Sequence, residues 1–589
     1  MKSLGRLFKY TLKYKWNIVI ALLGMTIQVA VGFIIPVLMI DIIDKAIPGN
    51  DLDLLLRTGG LMIAAAAVGL IAGILNSYNS QKLAIFTTAD LRNELFDKIQ
   101  QLSFKNVNKL KTSHLITAAT NDVLRIQNFY QMLFRIIVRA PLMIVIGFIM
   151  ALSTSKQLSN VFLISIPLLI ITVVIIMLLA FPFFSKVQKA ADNLNKVSLE
   201  TAKAPRVIKS FVTQDIENKR FKDTNAYYKE INTKAERIMI AAEPVVMLIL
   251  NATIAGLLYL GAYYFNQGYL MNTVDGASVP AVGVIVAFNN YSMQILFGVL
   301  MFAMMMIFVS RALVSANRIV SILDTDIDLE NCENCVTDFE ISGGFSFNHV
   351  TFGYGKEGHN VLNDISFDVK AGQKIGVIGS TGSGKSTLIQ LIPRLYDVND
   401  GSITFDGLNV KQLDIDTLRR QIGVVTQKAT VFSGSIGTNV RYGKEDASFD
   451  ELKTASTLAN AFEFVSEYDD MFNHVTEQNG SNYSGGQKQR ISLGRAFVRQ
   501  PKLLILDDST SAVDAKSEEK IIDAINSLTD KMTTVIISQK ISTIKDMDKI
   551  LVLNNKGEID GFDTHQNLMS NSKVYQEIAA SQIGGAING

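Results

Sequence analysis

Long apolar runs fill the first half of the chain and then stop. They follow one another to about Ala316, whereas beyond Leu323 short apolar stretches alternate with polar loops in the manner of an ordinary α/β domain. A helix needs about 20 mostly apolar residues to cross a bilayer core. Six segments qualify: roughly Trp16–Ile43, Leu54–Asn76, Ile136–Leu152, Val161–Phe184, Met239–Phe265 and Val279–Val309. The third is short and is interrupted by Arg139 and Pro141. Thr88–Gln101 and Lys186–Ala202 keep a helical period with mixed charges, which predicts membrane helices that continue well into water. The bends between paired helices are expected near Thr112–Thr117 and Thr213–Arg220, where the membrane half would touch the soluble half.

Charge placement orients these segments. The loop after the second segment carries Lys82, Arg92, Lys98, Lys105, Lys109 and Lys111, and the loop after the fourth carries the cations from Lys186 to Arg237. The other connections are short, with Lys45 and Lys156 as their exceptions. Basic loops stay inside, so both long loops, the N-terminus and the soluble half are expected in the cytoplasm of a plasma-membrane protein. Met1–Lys15 is basic and amphipathic, and the apolar run after it is too long for a signal-peptide core.

Bulk composition adds little. The chain has 589 residues, 48% of them hydrophobic, and a mean hydropathy of +0.25. A net charge of only +2 gives no sign of a nucleic-acid partner. The two cysteines, Cys332 and Cys335, lie in a polar linker; without a second pair to complete a tetrahedral zinc site, they are expected as incidental thiols.

Polar residues inside the apolar runs allow two readings. Glu243, Asn251, Asn289, Asn290 and Gln294 could hydrogen-bond between helices, with Pro244 making a kink. Alternatively, they line a substrate cavity in which Glu243 attracts cations. Met301, Met304, Met305 and Met306 form a polarisable cluster that serves either packing or ligand contact. Asp41 and Asp44, at the outer end of the first span, are candidates for an extracellular gate or for simple interfacial solvation.

In the soluble half, the apolar strand Lys374–Ile378 leads into Gly379, Ser380, Thr381, Gly382, Ser383, Gly384, Lys385, Ser386 and Thr387, and then into a helix. Strand, glycine-rich loop and helix are the context a P-loop requires. The glycines let backbone N–H groups approach phosphates. Lys385 would reach the β- and γ-phosphates of ATP, and the Ser386 hydroxyl would ligate Mg²⁺. A second apolar strand, Leu503–Leu506, ends in Asp507, a carboxylate suited to the Walker B role of holding Mg²⁺.

Between these motifs stand Ser484, Gly485, Gly486 and Gln487, followed by Lys488-Gln489-Arg490. With them the chain resembles the ATP-binding cassette (ABC) transporters, over its whole length and in the form of an exporter half-transporter. That resemblance makes Ser484–Gln487 the signature, with Tyr483 in place of the usual leucine. It makes Tyr354 the adenine-stacking aromatic, Gln427 the Q-loop glutamine that reaches Mg²⁺, and Ser511-Ala512-Val513-Asp514 the D-loop. Glu200 to Phe211 resembles a family stretch of the membrane half, with Ala204 replacing its glycine and Pro205 following, so a local bend is expected. The implied fold is a membrane all-α domain of six transmembrane helices with long cytoplasmic extensions, fused to a cytoplasmic α/β P-loop nucleotide-binding domain with a helical subdomain. The expected bounds are 1–322 for the membrane domain, 323–340 for the linker and 341–589 for the nucleotide-binding domain.

Two positions depart from the family pattern. Asp508 stands where a catalytic glutamate polarises the attacking water, and Gln539 where a histidine contacts the γ-phosphate. Asp508 keeps its charge but loses about 1.5 Å of reach, one C–C bond. Gln539 can donate a hydrogen bond but cannot carry a proton's charge. In this family each ATP lies between the P-loop of one chain and the signature of another, so both departures weaken one site and leave the other whole. The pattern resembles the degenerate subunit of heterodimeric bacterial multidrug exporters, including Ile537-Ser538-Gln539-Lys540-Ile541 and Arg139-Ala140-Pro141. It implies a second half-transporter with intact glutamate and histidine, and lipophilic or amphiphilic drugs or dyes as cargo. Lipid or peptide transport, ATP-gated regulation and import stay open as alternatives.

Overall fold

The computed structural model describes residues 2–269, 271–274, 277–355, 360–509, 513–527 and 532–587. The chain divides into two compact units, Met1–Gln100 with Thr112–Thr325, and Gln101–Lys111 with Asp326–Gly589.

The first unit is helical. Among the described residues, six helical runs are long and apolar enough to cross a membrane: Lys2–Ala46, Leu52–Gln101, Thr112–Thr154, Lys156–Lys203, Gln214–Asn266 and Val282–Phe302. Each expected span falls within one of these runs except at the start and end of the sixth, whose helix covers Val282–Leu323. The helix Leu52–Gln101 has 50 residues, about 75 Å at 1.5 Å per residue, far beyond a hydrocarbon core of about 30 Å. Large apolar side chains such as Ile63, Leu70, Ile164 and Leu178 are exposed along these helices, as lipid contact requires and water does not allow in such number. The helices Lys156–Lys203 and Gln214–Asn266 lie against each other.

Small residues set the close approaches. A Cβ on Gly24 would meet the Ala72 carbonyl oxygen at 2.7 Å, so the first two spans touch backbone to backbone. Asn76 ties the same region together, its amide donating to the carbonyls of Ala21 at 2.7 Å and Phe134 at 3.1 Å. The irregular third span is explained by its backbone. A π-helical turn, Leu133–Ile137, precedes Pro141 inside Arg139–Thr154, and a proline ring removes the N–H that the preceding turn would use. Asp122 is fully buried and accepts from the Arg318 guanidinium at 2.5 Å and from Ser315 Oγ at 2.8 Å, joining the third run to the sixth.

Both bends come earlier in the chain than the charge pattern suggests. The first is centred on the short helix Phe104–Leu110, opened by a reciprocal cap between Ser103 and Asn106 and closed by Lys111 at φ +65°. The second is Ala204 with the helix Pro205–Ser210, closed by Val212 at φ +53°. A proline at the first helical position fits there because its missing N–H is not needed. Thr112–Thr117 and the residues after Thr213 are instead helical.

The second unit holds a six-stranded sheet in the order Ile559–Asp563, Lys549–Leu553, Lys374–Gly379, Thr533–Ile537, Leu503–Asp507, Ile422–Val425. All neighbours are parallel except the first pair. Leu503–Asp507 and Thr533–Ile537 are buried at every position, as strands covered on both faces must be. A four-stranded antiparallel sheet containing Phe345–Phe352 and Leu362–Val369 packs its phenylalanines into one core. The helices Phe449–Leu458 and Gly485–Phe497 pack together over a second core.

Candidate functional site

The P-loop leaves the sheet at Gly379, where a Cβ would meet the Leu553 carbonyl oxygen at 2.5 Å and Ser383 Oγ at 2.7 Å. Gly382 and Gly384 take φ of +87° and +93°, a conformation open mainly to glycine. Lys385, opening the helix Lys385–Leu391, turns its ammonium back onto the carbonyls of Gly379 and Ser380, both at 2.8 Å. Burial holds that ammonium below the usual lysine pKa, against the opposing pull of Asp507 and Asp508. Ser386 Oγ donates to Asp507 Oδ1 at 3.2 Å. Burial raises the Asp507 carboxyl above the usual range, with Ser386 opposing.

Lys385, Ser386 and Asp507 line a cavity of about 340 Å³ together with Thr381, Thr387, Gln427, Asp508 and Gln539. A half-buried lysine and a buried carboxylate facing the same space suit a polyphosphate chelating a cation. The donor set fits Mg²⁺: a hydroxyl, a carboxylate and an amide oxygen from Ser386, Asp507 and Gln427. Ser383 Oγ is buried without a hydrogen-bond partner, a further polar atom for a ligand oxygen to satisfy.

The two departures from the family pattern meet at one atom. Asp508 Oδ2 accepts from Gln539 Nε2 at 3.1 Å and from Gln427 Nε2 at 3.3 Å. Its backbone sits at φ +47°, and its N–H donates to the Ile537 carbonyl at 3.0 Å. Aspartate tolerates this left-handed conformation better than most side chains. The loop bearing Gln539 is clamped from the C-terminal helix Lys573–Ile587. Gln582 donates to the Gln539 carbonyl at 2.6 Å and accepts from the Ile541 N–H at 3.0 Å. Nothing in the sequence marks Gln582, since one glutamine in a polar terminal helix has no pattern.

Tyr354 is half exposed beside this cavity. Its hydroxyl lies 3.0 Å from Thr387 Oγ1, and its ring stands edge-on to Phe352 and Tyr396 at 5.1 and 5.3 Å. Tyr396 also contacts the early segment of its own unit. Asn108 Nδ2 donates to its hydroxyl at 3.2 Å, and the Phe104 ring lies 6.3 Å away. Sequence reasoning missed Tyr396, which reads as an ordinary core aromatic.

Ser484–Gln487 stands apart from that cavity and lines none of it. Ser484 caps the helix Gly485–Phe497 reciprocally: its Oγ accepts from the Gln487 N–H at 3.2 Å, and its N–H donates to Gln487 Oε1 at 2.9 Å. Such a box fixes the helix start, leaving Gly485 and Gly486 as bare backbone on the first turn. Tyr483 is buried in the helical-layer core and donates to the Val475 carbonyl at 3.2 Å, so the larger residue is accommodated without disturbing the cap. Asp514 accepts from the Ser517 N–H at 2.9 Å; Ser511 and Ala512 lie outside the described residues.

The polar membrane positions have mostly structural partners. Gln294 donates to the Gly32 carbonyl at 2.9 Å, and Asn290 to Val286 of its own helix at 3.0 Å. Glu243 and Asn251 are exposed, and Asn289 is partly buried. None of the five lines the large cavity of this unit. Asp41 pairs with Lys45 at 2.7 Å. Asp44 is buried and accepts from the Gly283 N–H at 2.6 Å, capping the sixth helix. The side chains of Met304, Met305 and Met306 lie outside the described residues. Cys332 and Cys335, expected as independent thiols, are joined in a disulfide across a turn that brings their Cα atoms to 5.1 Å.

Comparison with known proteins agrees in both halves. Residues 18–300 match the ABC transporter transmembrane region, and residues 362–511 match the ABC transporter family. The chain is 38% identical over 565 residues to the Bacillus subtilis ABC transporter ATP-binding protein YfiB, covering 96% of each. It is 31% identical to the Mycobacterium tuberculosis ABC transporter ATP-binding protein Rv1273c, covering 93% of each. In fold it is similar to a bacterial Atm1-family ABC exporter with ATP bound, with a TM-score of 0.78 at 23% identity over 98% of each chain. A membrane unit of long helices, a P-loop sheet and a capped signature helix thus belong to one polypeptide, and the chain is a member of the ABC transporter family.

Proposed function

We propose that the chain is one half of a heterodimeric ATP-driven exporter whose two ATP sites are unequal. Its own site, built on Lys385, Ser386, Asp507 and Tyr354, binds ATP and cleaves it slowly. Its signature, Ser484–Gln487, completes the faster site of a partner half that supplies glutamate and histidine at the two positions altered here. The membrane domain, 1–322, would carry lipophilic or amphiphilic cargo by alternating access. The linker, 323–340, joins it to the nucleotide-binding domain, 341–589.

The observation that carries this reading is the convergence of Gln427 and Gln539 on Asp508 Oδ2. Two amide donors on one oxygen hold the carboxylate toward Gln427 and Gln539 and restrain it from turning to an attacking water. The carboxylate is also about 1.5 Å short of a glutamate's reach, and a misplacement near 1 Å can lower a rate about 100-fold. Bound Mg²⁺ would neutralise charge on the phosphates. Ser386 and Asp507 would hold it, Lys385 would hold the phosphate oxygens, and the Tyr354 ring would stack on the base. In contrast, the cap at Ser484 is fully formed, so selection for ATP cleavage has an evident target on this chain outside its own P-loop site.

The test is steady-state ATP hydrolysis by the purified chain alone and with its partner. The pair should exceed the chain alone by roughly 100-fold. Equal rates would remove the basis for asymmetry.

A further inference from the structure

The membrane unit contains a cavity of about 800 Å³ between its third, fourth and sixth membrane helices. That volume lies in the range of sites for drug-sized molecules, about 300–1,000 Å³. Its wall is apolar, with Ile170 and Val174 from the fourth helix and Phe302 from the sixth. Gln188 and Arg311 stand at one end, since both helices run in the same direction and both residues lie farthest along them. Arg311 carries the only charge among the described lining residues and is exposed. From Ile170 to Gln188 the fourth helix advances about 27 Å at 1.5 Å per residue. A second cation is close in sequence: Arg139, two residues before the lining residue Pro141, has a buried Nε with no hydrogen-bond partner among the described residues.

A long apolar wall ending in an exposed guanidinium is complementary to one kind of molecule. Arg311 is exposed at the mouth of this wall, and a guanidinium there can pair in a fork with an acidic head group. The wall removes an alkyl or aromatic body from water, while Gln188 Nε2 donates to Asp192 Oδ1 at 3.0 Å and so leaves the head group to Arg311. A cationic amphiphile would place like charge against Arg311; Glu243 does not line this space, and the Asp192 carboxylate next to it is engaged by Gln188. We propose that the cavity binds single-chain amphiphilic anions, with the acidic head on Arg311 and the apolar body along Ile170 and Val174. This deepens the transport reading of the membrane half and rests on it, but not on the inequality of the ATP sites.

The test is equilibrium binding to the full-length chain in phosphatidylcholine nanodiscs without nucleotide, with empty discs as background. The probes are dansyl-labelled undecanoic acid and the amine-terminated analogue of equal chain length. The acid should bind about tenfold or more tightly than the amine, the effect of one charge-assisted pair. Arg311→Gln should bring the two probes within about twofold, and Arg311→Lys should keep most of the preference. Val174→Trp should weaken both probes by filling the wall. Equal binding of acid and amine by the native chain would overturn the proposal, as would a preference that survives Arg311→Gln. Since no ATP is cleaved, these results are independent of the hydrolysis comparison that tests asymmetry.

Discussion

Asp508→Glu is the substitution whose consequences the structure specifies most fully. It adds one C–C bond and carries the carboxylate about 1.5 Å farther toward the P-loop cavity. The two bonds it must give up are long, 3.1 Å from Gln539 and 3.3 Å from Gln427, against a usual N–H···O distance near 2.9–3.0 Å. Their loss should be at the low end of about 0.5–1.5 kcal/mol each. A further penalty comes from the backbone, because φ is +47° at this position and glutamate tolerates the left-handed region less well than aspartate. That difference is on the order of 1 kcal/mol, which lowers the Tm by about 2–4 °C. The variant should therefore be slightly less stable and measurably faster. Recovering about 1 Å of placement can restore up to roughly 100-fold in rate; about tenfold is expected while Gln539 remains uncharged, and more with Gln539→His added. The assay is single-turnover ATP cleavage at this chain's site, in a pair whose other P-loop lysine has been replaced. A rate unchanged in both the single and the double variant would refute the view that these two residues limit the site.

Two further substitutions test the supports around the chemistry. Gln582→Ala removes both bonds that clamp the loop of Gln539. Because the residue is exposed, about 1 kcal/mol should be lost, seen as a roughly fivefold faster amide exchange at Ile541; unchanged exchange would deny the clamp. Asp122→Ala leaves Arg318 without its carboxylate at a fully buried position. Since Arg318 is itself partly exposed, the destabilisation should be near the lower end of about 3–5 kcal/mol, and Asp122→Ala with Arg318→Met should recover part of it in thermal unfolding.

The chemical loops were more legible in the sequence than the parts that hold them. Glycines at positive φ, a lysine behind them and a carboxylate ending a buried strand have short-range spacing, so the P-loop and Asp507 can be read from the chain. The capping box of Ser484 and Gln487 is likewise a local pattern. Gln582, Tyr396 and Asp122 act through partners far away in sequence, and a polar or aromatic residue without a local period gives no warning of such a partner. The bends expected near Thr112–Thr117 and Thr213–Arg220 lie earlier, at the cap of Ser103 and at Pro205, where the proline already marks a local bend. In the membrane unit the bias ran toward polar residues. Gln294 and Asp44 turned out to be hydrogen-bonded inside the helix packing, whereas the large cavity is lined almost wholly by apolar side chains that resemble lipid-facing ones in sequence.

Asymmetry is tested most directly by comparing two variants of this chain in the assembled pair, Ser484→Arg and Asp508→Asn, by steady-state ATP hydrolysis. The first places a bulky cation at the helix cap proposed to meet the opposite nucleotide, and the second removes charge only from this chain's own P-loop site. If the signature serves the fast site, Ser484→Arg should lower turnover by roughly 100-fold, the scale of a lost transition-state contact, while Asp508→Asn should change it by less than about twofold. Comparable losses in the two variants would contradict an unequal pair.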